Sequence, residues 1–63
     1  MKSFRKGDIF VSVTPIGPLF EVSIEIHKQV FEKKGNEREL YSWALSFSKS
    51  IADFVLECLK RST

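Results

Sequence analysis

The sequence has few of the residues that small domains use to stabilise themselves alone. Its 63 residues include one cysteine, Cys58, which excludes an internal disulfide bond and is typical of cytosolic or nuclear proteins, so we expect a cytoplasmic location. One cysteine and one histidine cannot supply the roughly four ligands of a zinc site, and we expect neither metal nor cofactor. A chain this short buries only about 60% of its unfolded surface. We therefore predict one small domain over residues 1–63 that gains stability from a partner chain.

Long apolar runs and catalytic motifs are also missing. No apolar run approaches the ~18 residues of a membrane span, so we predict no membrane partner. The three glycines are isolated and form no phosphate-binding loop. His27 falls on the polar face of a predicted strand without a nucleophile or fellow ligand nearby. Cys58 falls on an apolar helix face, which favours a buried thiol over a reactive one. We predict no catalytic residues and a protein that is not an enzyme.

Two segments alternate between apolar and polar residues with the period of a β-strand. They are residues 9–14 and 20–27, and both are rich in β-branched side chains. The loop between them, residues 15–18, contains both prolines. We predict an N-terminal antiparallel β-hairpin in which Lys28 approaches Arg5. A helix over residues 18–34 is an alternative for the second segment, since Pro18 could begin it and Gly35 could end it.

Residues 37–61 have the period of a long amphipathic C-terminal helix. Asn36 can cap this helix, with Glu39 completing a capping box. Its apolar arc is about 220° wide, more than one small sheet can cover, and Ser48 is the clear polar residue within that arc. The α+β fold predicted is therefore a hairpin followed by a long helix. The alternative is a three-stranded meander, with a third strand over residues 39–47 and a shorter helix capped by Ser48 or Ser50.

The width of the apolar arc predicts a function in binding. We expect one flank of the helix to pack on the hairpin and the other to form an interface with a second copy of the chain and with another protein. The chain would then be a homodimeric protein-interaction module that regulates or inhibits its partner. The predicted interface residues are Trp43, Phe47, Ile51, Ala52, Val55, Leu56 and Leu59.

The basic residues indicate an alternative function, the binding of single-stranded nucleic acid. In the predicted hairpin, seven cations gather at the end opposite the proline-rich loop, where they could contact phosphates while Phe10, Tyr41 or Trp43 stacks on bases. Acidic residues at the same end and a formal charge of only +2 make protein binding the preferred function. The seven cations are Lys2, Arg5, Lys6, Lys28, Lys33, Lys34 and Arg38.

Two short segments resemble the positive-cofactor-four family. These are residues 10–13, Phe-Val-Ser-Val, and residues 45–48, Leu-Ser-Phe-Ser, before the C-terminal helix. The resemblance implies a strand meander, a C-terminal helix that dimerises, and binding of single-stranded DNA. The sequence departs from that family in lacking a basic loop before the last strand and in carrying acids on the predicted sheet.

Overall fold

The computed structural model describes residues 1–62 as an antiparallel four-stranded sheet followed by two helices. The predicted α+β class is therefore confirmed, but the hairpin with one long helix was only partly correct. The predicted hairpin lacks two of the four strands, and the single predicted helix is two helices. The elements in chain order are β1 (Lys2–Lys6), β2 (Ile9–Ile16), β3 (Leu19–Ile26), β4 (Gln29–Gly35), α1 (Glu37–Leu45) and α2 (Lys49–Arg61).

The strands form a meander in which each pairs with the next along the chain. The two predicted strands lie within β2 and β3, so the alternative helix over residues 18–34 is wrong. In the observed register Ile9 pairs with Ile26, and Arg5 pairs with Phe10 of β2. The prediction that Lys28 approaches Arg5 is also wrong, because β1 occupies the edge of the sheet beside β2.

Three two-residue turns connect the strands. Gly7 and Gly17 begin the first two turns with φ values of 62° and 58°, which glycine adopts without a steric penalty. The third turn is made by His27 and Lys28, both in the left-handed region with φ of 52° and 66°. A turn with two positive φ values normally contains asparagine or glycine. His27 is thus a turn residue instead of a strand residue, and the absence of a glycine concealed this turn from sequence reasoning.

The helices cover one face of the sheet, and the core lies between the two layers. Register places alternate side chains of β2 and β3 on this inner face, where four of them are fully buried. Six buried helix residues complete the core, and no polar or charged residue among those described is buried with them. The sheet contributes Val11, Val13, Val22 and Ile24, and the helices contribute Leu40, Ala44, Ala52, Val55, Cys58 and Leu59.

The predicted helix is interrupted at residues 46–48. The Phe47 amide still donates to the Ala44 carbonyl at 3.0 Å, but Ser48 is extended and its hydroxyl accepts a hydrogen bond from the Ile51 amide at 3.1 Å. Ser48 is therefore the N-cap of a new helix. The alternative with a shorter helix capped by Ser48 was correct on this point, whereas its third strand over residues 39–47 is wrong because most of that segment is α1.

This break explains the width of the apolar arc. With the chain reversing at Ser48, α1 packs against α2, and both pack on the sheet. Apolar side chains that seemed to need an external partner are thus covered within one chain. The accessible surface is 4255 Å², close to the ~4,200 Å² that a compact monomer of this mass exposes. The periodicity of residues 37–61 also predicts that Phe47, Ile51 and Phe54 are buried along the middle of one long helix. In the two-helix arrangement they are only half-buried.

Candidate functional site

The residues predicted to form a helix interface divide into a buried group in the core and a half-buried group at its rim. Ala52, Val55 and Leu59 are fully buried against the sheet or α1, so Ala52 does not lie on an outer flank as expected. Trp43 and Leu56 are half-buried, as are Phe47 and Ile51. Within the predicted set, only these four residues reach the surface of the folded chain.

The predicted basic end does not exist as one cluster. Three of its cations, Lys2, Arg5 and Lys6, lie on the edge strand β1, and Lys28 lies in the turn before β4. Lys33 and Lys34 lie on the other edge strand, and Arg38 lies in the first turn of α1. The prediction assumed a single hairpin, and it failed because the sheet contains two further strands that carry these cations to opposite edges.

An open groove between β4 and α1 brings together residues from both predicted sets. We call it the Trp43 groove; its volume is about 520 Å³. Lys33 pairs with the buried Val22, which places its side chain on the helix-covered face at the edge of the sheet. Four lining residues come from α1 and form two pairs, Arg38 with Ser42 and Glu39 with Trp43. The two members of each pair lie one helical turn apart. The lining residues are Lys33, Arg38, Glu39, Ser42 and Trp43.

Packing fixes the aromatic wall of the groove. The Trp43 ring meets the Phe47 ring edge-on, with centroids 5.4 Å apart and an interplanar angle of 85°. Phe47 in turn contacts Phe31 of β4, with centroids 5.0 Å apart. Within residues 1–62 the Trp43 indole N–H has no hydrogen-bond partner, so it can donate to a bound molecule. The groove therefore has a rigid, half-exposed aromatic side chain with a free donor.

The charges of the groove favour an anion. Glu39 is held in the predicted capping box, which is confirmed: its Oε1 accepts from the Asn36 amide at 3.0 Å, and the Glu39 amide donates to Asn36 Oδ1 at 2.8 Å. That carboxylate is thus committed to the start of α1. Lys33 and Arg38 are exposed and form no ion pair with any described residue. Two cations beside an aromatic ring can hold a carboxylate or phosphate next to an apolar group.

The described residues give no comparable support for a catalytic or metal site. Cys58 is 1% exposed, and burial, followed by the nearby Glu57 charge, raises the pKa of its thiol to about 11, with Arg61 acting weakly in the opposite direction. The neutral, buried thiol is a poor nucleophile. Among residues 1–62, no cluster of three or more histidine, cysteine or acidic residues could hold a metal ion.

The outer face of the sheet is uncovered. It presents three large apolar side chains, with exposures of 45% for Phe10, 40% for Ile16 and 55% for Val30. Glu25 lies between Phe10 and Val30 in the register and Arg5 lies beside Phe10, so charges separate the apolar side chains. Strand periodicity placed Phe10 on the polar face of β2, but Val30 was missed together with β4.

Comparisons with known proteins identify no family for this chain: no family model, curated protein or solved structure matches it. The resemblance to the positive-cofactor-four family is therefore not supported by a family match. A meander is present, but α1 stands between it and the C-terminal helix, and residues 45–48 are the end of α1 and the connection to α2 instead of a strand. No helix within the described part of the chain is long and apolar enough to cross a membrane.

Proposed function

We propose that the chain is a non-enzymatic protein-interaction module that binds an acidic segment of another protein in the Trp43 groove. The observation that carries this proposal is the convergence of Lys33, Arg38 and a rigid, half-exposed Trp43 on one groove. Rigid aromatic residues and arginine are the side chains that most often dominate the energy of protein interfaces. An apolar side chain of the partner would pack on Trp43, and flanking carboxylates would reach the two cations. Occupying its partner in this way, the module would act as a regulator or inhibitor.

Single-stranded nucleic acid is the second candidate for the same groove. Trp43 could stack on a base while Lys33 and Arg38 contact phosphates. Glu37 and Glu39 lie in the first turn of the same helix, however, and Glu32 lies next to Lys33 along β4. These carboxylates would repel a phosphate backbone that runs beyond the groove, whereas a short acidic peptide needs only the two cations. The charge distribution therefore favours a protein ligand.

Homodimer formation stays a prediction with weaker physical support than the sequence suggested. The argument for it was an apolar helix flank left without cover, and that flank now packs within the chain. Trp43, Phe47, Ile51 and Leu56 are the predicted interface residues that remain partly accessible. Sedimentation equilibrium at ~10 μM would decide the question, because a dimer must dissociate as the concentration falls.

Capture from an extract of the source cell tests the proposal when it is combined with a groove variant. Immobilised wild-type protein and the double variant Lys33→Gln, Arg38→Gln would be compared, each with and without nuclease. The matched control is Lys28→Gln, Lys34→Gln, which removes the same charge outside the groove. Both variants should remain folded, since all four side chains are exposed.

If the proposal is correct, the wild type captures a protein even after nuclease treatment. The control variant should also capture that protein, and the groove variant should not. Nuclease-sensitive capture would favour the nucleic-acid candidate. Equal capture by both variants would place the binding surface elsewhere and contradict the proposed role of the Trp43 groove.

A further inference from the structure

The edge strand β1 carries an unusual concentration of positive charge. Three of its five residues are cationic and none is acidic. The whole chain contains ten lysine and arginine residues against eight acids. Without the three cations of β1, the remaining seven would be outnumbered by the eight acids, so the rest of the molecule has a formal charge of −1. Positive charge is therefore localised on one edge of the sheet.

The three cations are held in place without being neutralised. Lys2 Nζ donates to the Arg61 carbonyl at 3.1 Å, and Lys6 Nζ lies 5.9 Å from the centroid of the Phe54 ring. Arg5 Nε donates to the Gly7 carbonyl at 2.9 Å, and its guanidinium lies 5.4 Å from the centre of the Phe10 ring. Each contact orients a cation against a neutral group, and no acidic side chain of residues 1–62 compensates its charge.

The acids of the neighbouring helix are already engaged. Asp53 pairs with Lys49 at 3.4 Å, and Glu57 pairs with Arg61 at 2.9 Å, both one turn apart on α2. No carboxylate among the described residues forms an ion pair with a cation of β1. Asp8, in the adjoining turn, is the acid nearest to β1 in sequence, and it also forms no ion pair with a residue that the structure describes.

The backbone of β1 offers hydrogen-bonding groups to a further strand. The turn between β1 and β2 has two residues, so its closing pair, Lys6 with Ile9, is hydrogen-bonded, and hydrogen-bonded pairs then alternate along the ladder. Arg5 and Ser3 fall at the alternate positions. Their N–H and C=O groups therefore point away from β2, toward the free edge of the sheet.

We propose that β1 binds an acidic, extended peptide segment by strand addition, with the outward backbone groups of Ser3 and Arg5 pairing with the segment and the β1 cations facing its carboxylates. Strand addition to a free edge is a recurrent mode of peptide recognition, in which backbone bonds give affinity and side chains give specificity. This inference does not depend on the Trp43 groove, which lies beside the opposite edge strand.

A second copy of the chain does not fit this edge. Its own free edges are β1, with three cations, and β4, with two lysines and one glutamate. Pairing β1 with either strand would place like charges across the junction, which is destabilising. The same cations that would attract an acidic strand thus keep copies of this protein from adding to one another edge to edge.

The test uses a synthetic peptide about as long as β1, with glutamate at alternate positions and threonine between them. Binding would be followed by the amide resonances and hydrogen exchange of Ser3 and Arg5. In one control peptide lysine replaces every glutamate. In the other, proline replaces every threonine. We expect the acidic peptide alone to bind and to slow exchange at both amides, with affinity falling at least about tenfold between ~50 and ~200 mM salt.

Two variants separate strand addition from simple charge attraction. Ser3→Pro keeps all three cations but removes one outward N–H, and should weaken binding about tenfold or more while the fold, checked by circular dichroism, is retained. If Ser3→Pro does not fold, the proline control peptide decides, because it keeps every glutamate and would still bind if charge attraction alone held it. The charge-reversed variant Arg5→Glu, Lys6→Glu tests the charge contribution, since its Ser3 and Arg5 amides should respond to the lysine peptide and not to the acidic one. Lys33→Gln, Arg38→Gln should leave the response of the Ser3 and Arg5 amides to the acidic peptide unchanged, which distinguishes this inference from the proposed function.

Three results would overturn the inference. The acidic peptide could fail to bind at ~50 mM salt, where screening is weak. A folded Ser3→Pro variant could bind it as tightly as the wild type, which would mean that the backbone takes no part. Finally, oligothymidylate could displace the peptide from the same amides at lower concentration, which would make the edge a phosphate site.

Discussion

Replacing Ser48 with alanine tests the break that divides the C-terminal half of the chain. The Ser48 hydroxyl accepts a hydrogen bond from the Ile51 amide at 3.1 Å, and the residue is exposed. Its loss leaves that amide without its cap but creates no cavity, so the cost should be about 1 kcal/mol, within the usual range of about 0.5–2 for an N-cap. For a domain this small, that cost corresponds to a fall in Tm of about 4–8 °C.

Ser50→Ala is the matched control. Ser50 is also exposed, lies in the first turn of α2 and makes no side-chain hydrogen bond among the described residues, so alanine should be neutral or stabilise the helix by up to about 0.5 kcal/mol. Urea unfolding followed by circular dichroism would give both free energies, with an unchanged m value showing that compactness is preserved. The reasoning would be refuted if Ser48→Ala were neutral and Ser50→Ala destabilising, since the helix would then begin two residues later. Stabilisation by Ser48→Ala would indicate one continuous helix.

Three further predictions concern the core, the third turn and the thiol. Leu40→Ala should lower the free energy of unfolding by about 2–5 kcal/mol in urea titrations, because its side chain is fully buried, and a cost below about 1 kcal/mol would place it outside the core. Replacing His27 and Lys28 with asparagine and glycine should raise Tm, because both residues now adopt positive φ at a cost of about 1–2 kcal/mol each; a lower Tm would argue against this turn. Burial raises the pKa of Cys58 from 9.0 to about 11, so the unfolded chain loses that proton first and stability should fall as pH rises from about 9 to 11. Cys58→Ala should show a smaller fall over that interval, and an identical pH profile would contradict the raised pKa.

The predictable part of the fold was the part with a clean local pattern. β2 and β3 alternate valine and isoleucine with polar residues because one face packs on the helices, and this period survives in the sequence. The capping box of Asn36 and Glu39 was equally local, since a span of four residues contains both of its hydrogen bonds. Such features need no knowledge of distant contacts.

The missed elements lacked such a pattern. β4 lies at an edge, where Lys33 can occupy the inner face and reach solvent around the sheet, so its alternation is broken. The turn of His27 and Lys28 has no glycine to mark it. Ser48 looked like one polar residue on a wide apolar arc. The width of that arc was interpreted as the need for an external partner, but two helices that pack on each other also bury more than one stripe.

The Trp43 groove could be predicted only in pieces. Trp43 was expected in the protein interface, and Lys33 and Arg38 were expected to contact phosphates. The nucleic-acid alternative named Trp43 as one of three candidate stacking residues, but it did not place Trp43 beside these two cations. Their convergence depends on the pairing of β4 with β3 and on the packing of α1 beside β4. Both are long-range contacts that neither periodicity nor spacing contains. The uncompensated charge of β1 was hidden for the same reason, since the sequence alone did not show that this segment is an edge strand.

The most direct test of the central claim uses Trp43 itself, the single tryptophan of the chain, as a fluorescent reporter of the groove. The protein would be titrated with an acidic peptide carrying a central leucine and, separately, with oligothymidylate, while tryptophan emission is recorded at several salt concentrations. The account predicts that the peptide shifts and saturates the emission, that Lys33→Gln, Arg38→Gln weakens this response at least about tenfold, and that Lys28→Gln, Lys34→Gln leaves it nearly unchanged. Saturation by oligothymidylate at submicromolar concentration in ~150 mM salt, with no response to the peptide, would exceed ordinary non-specific affinity and contradict the account.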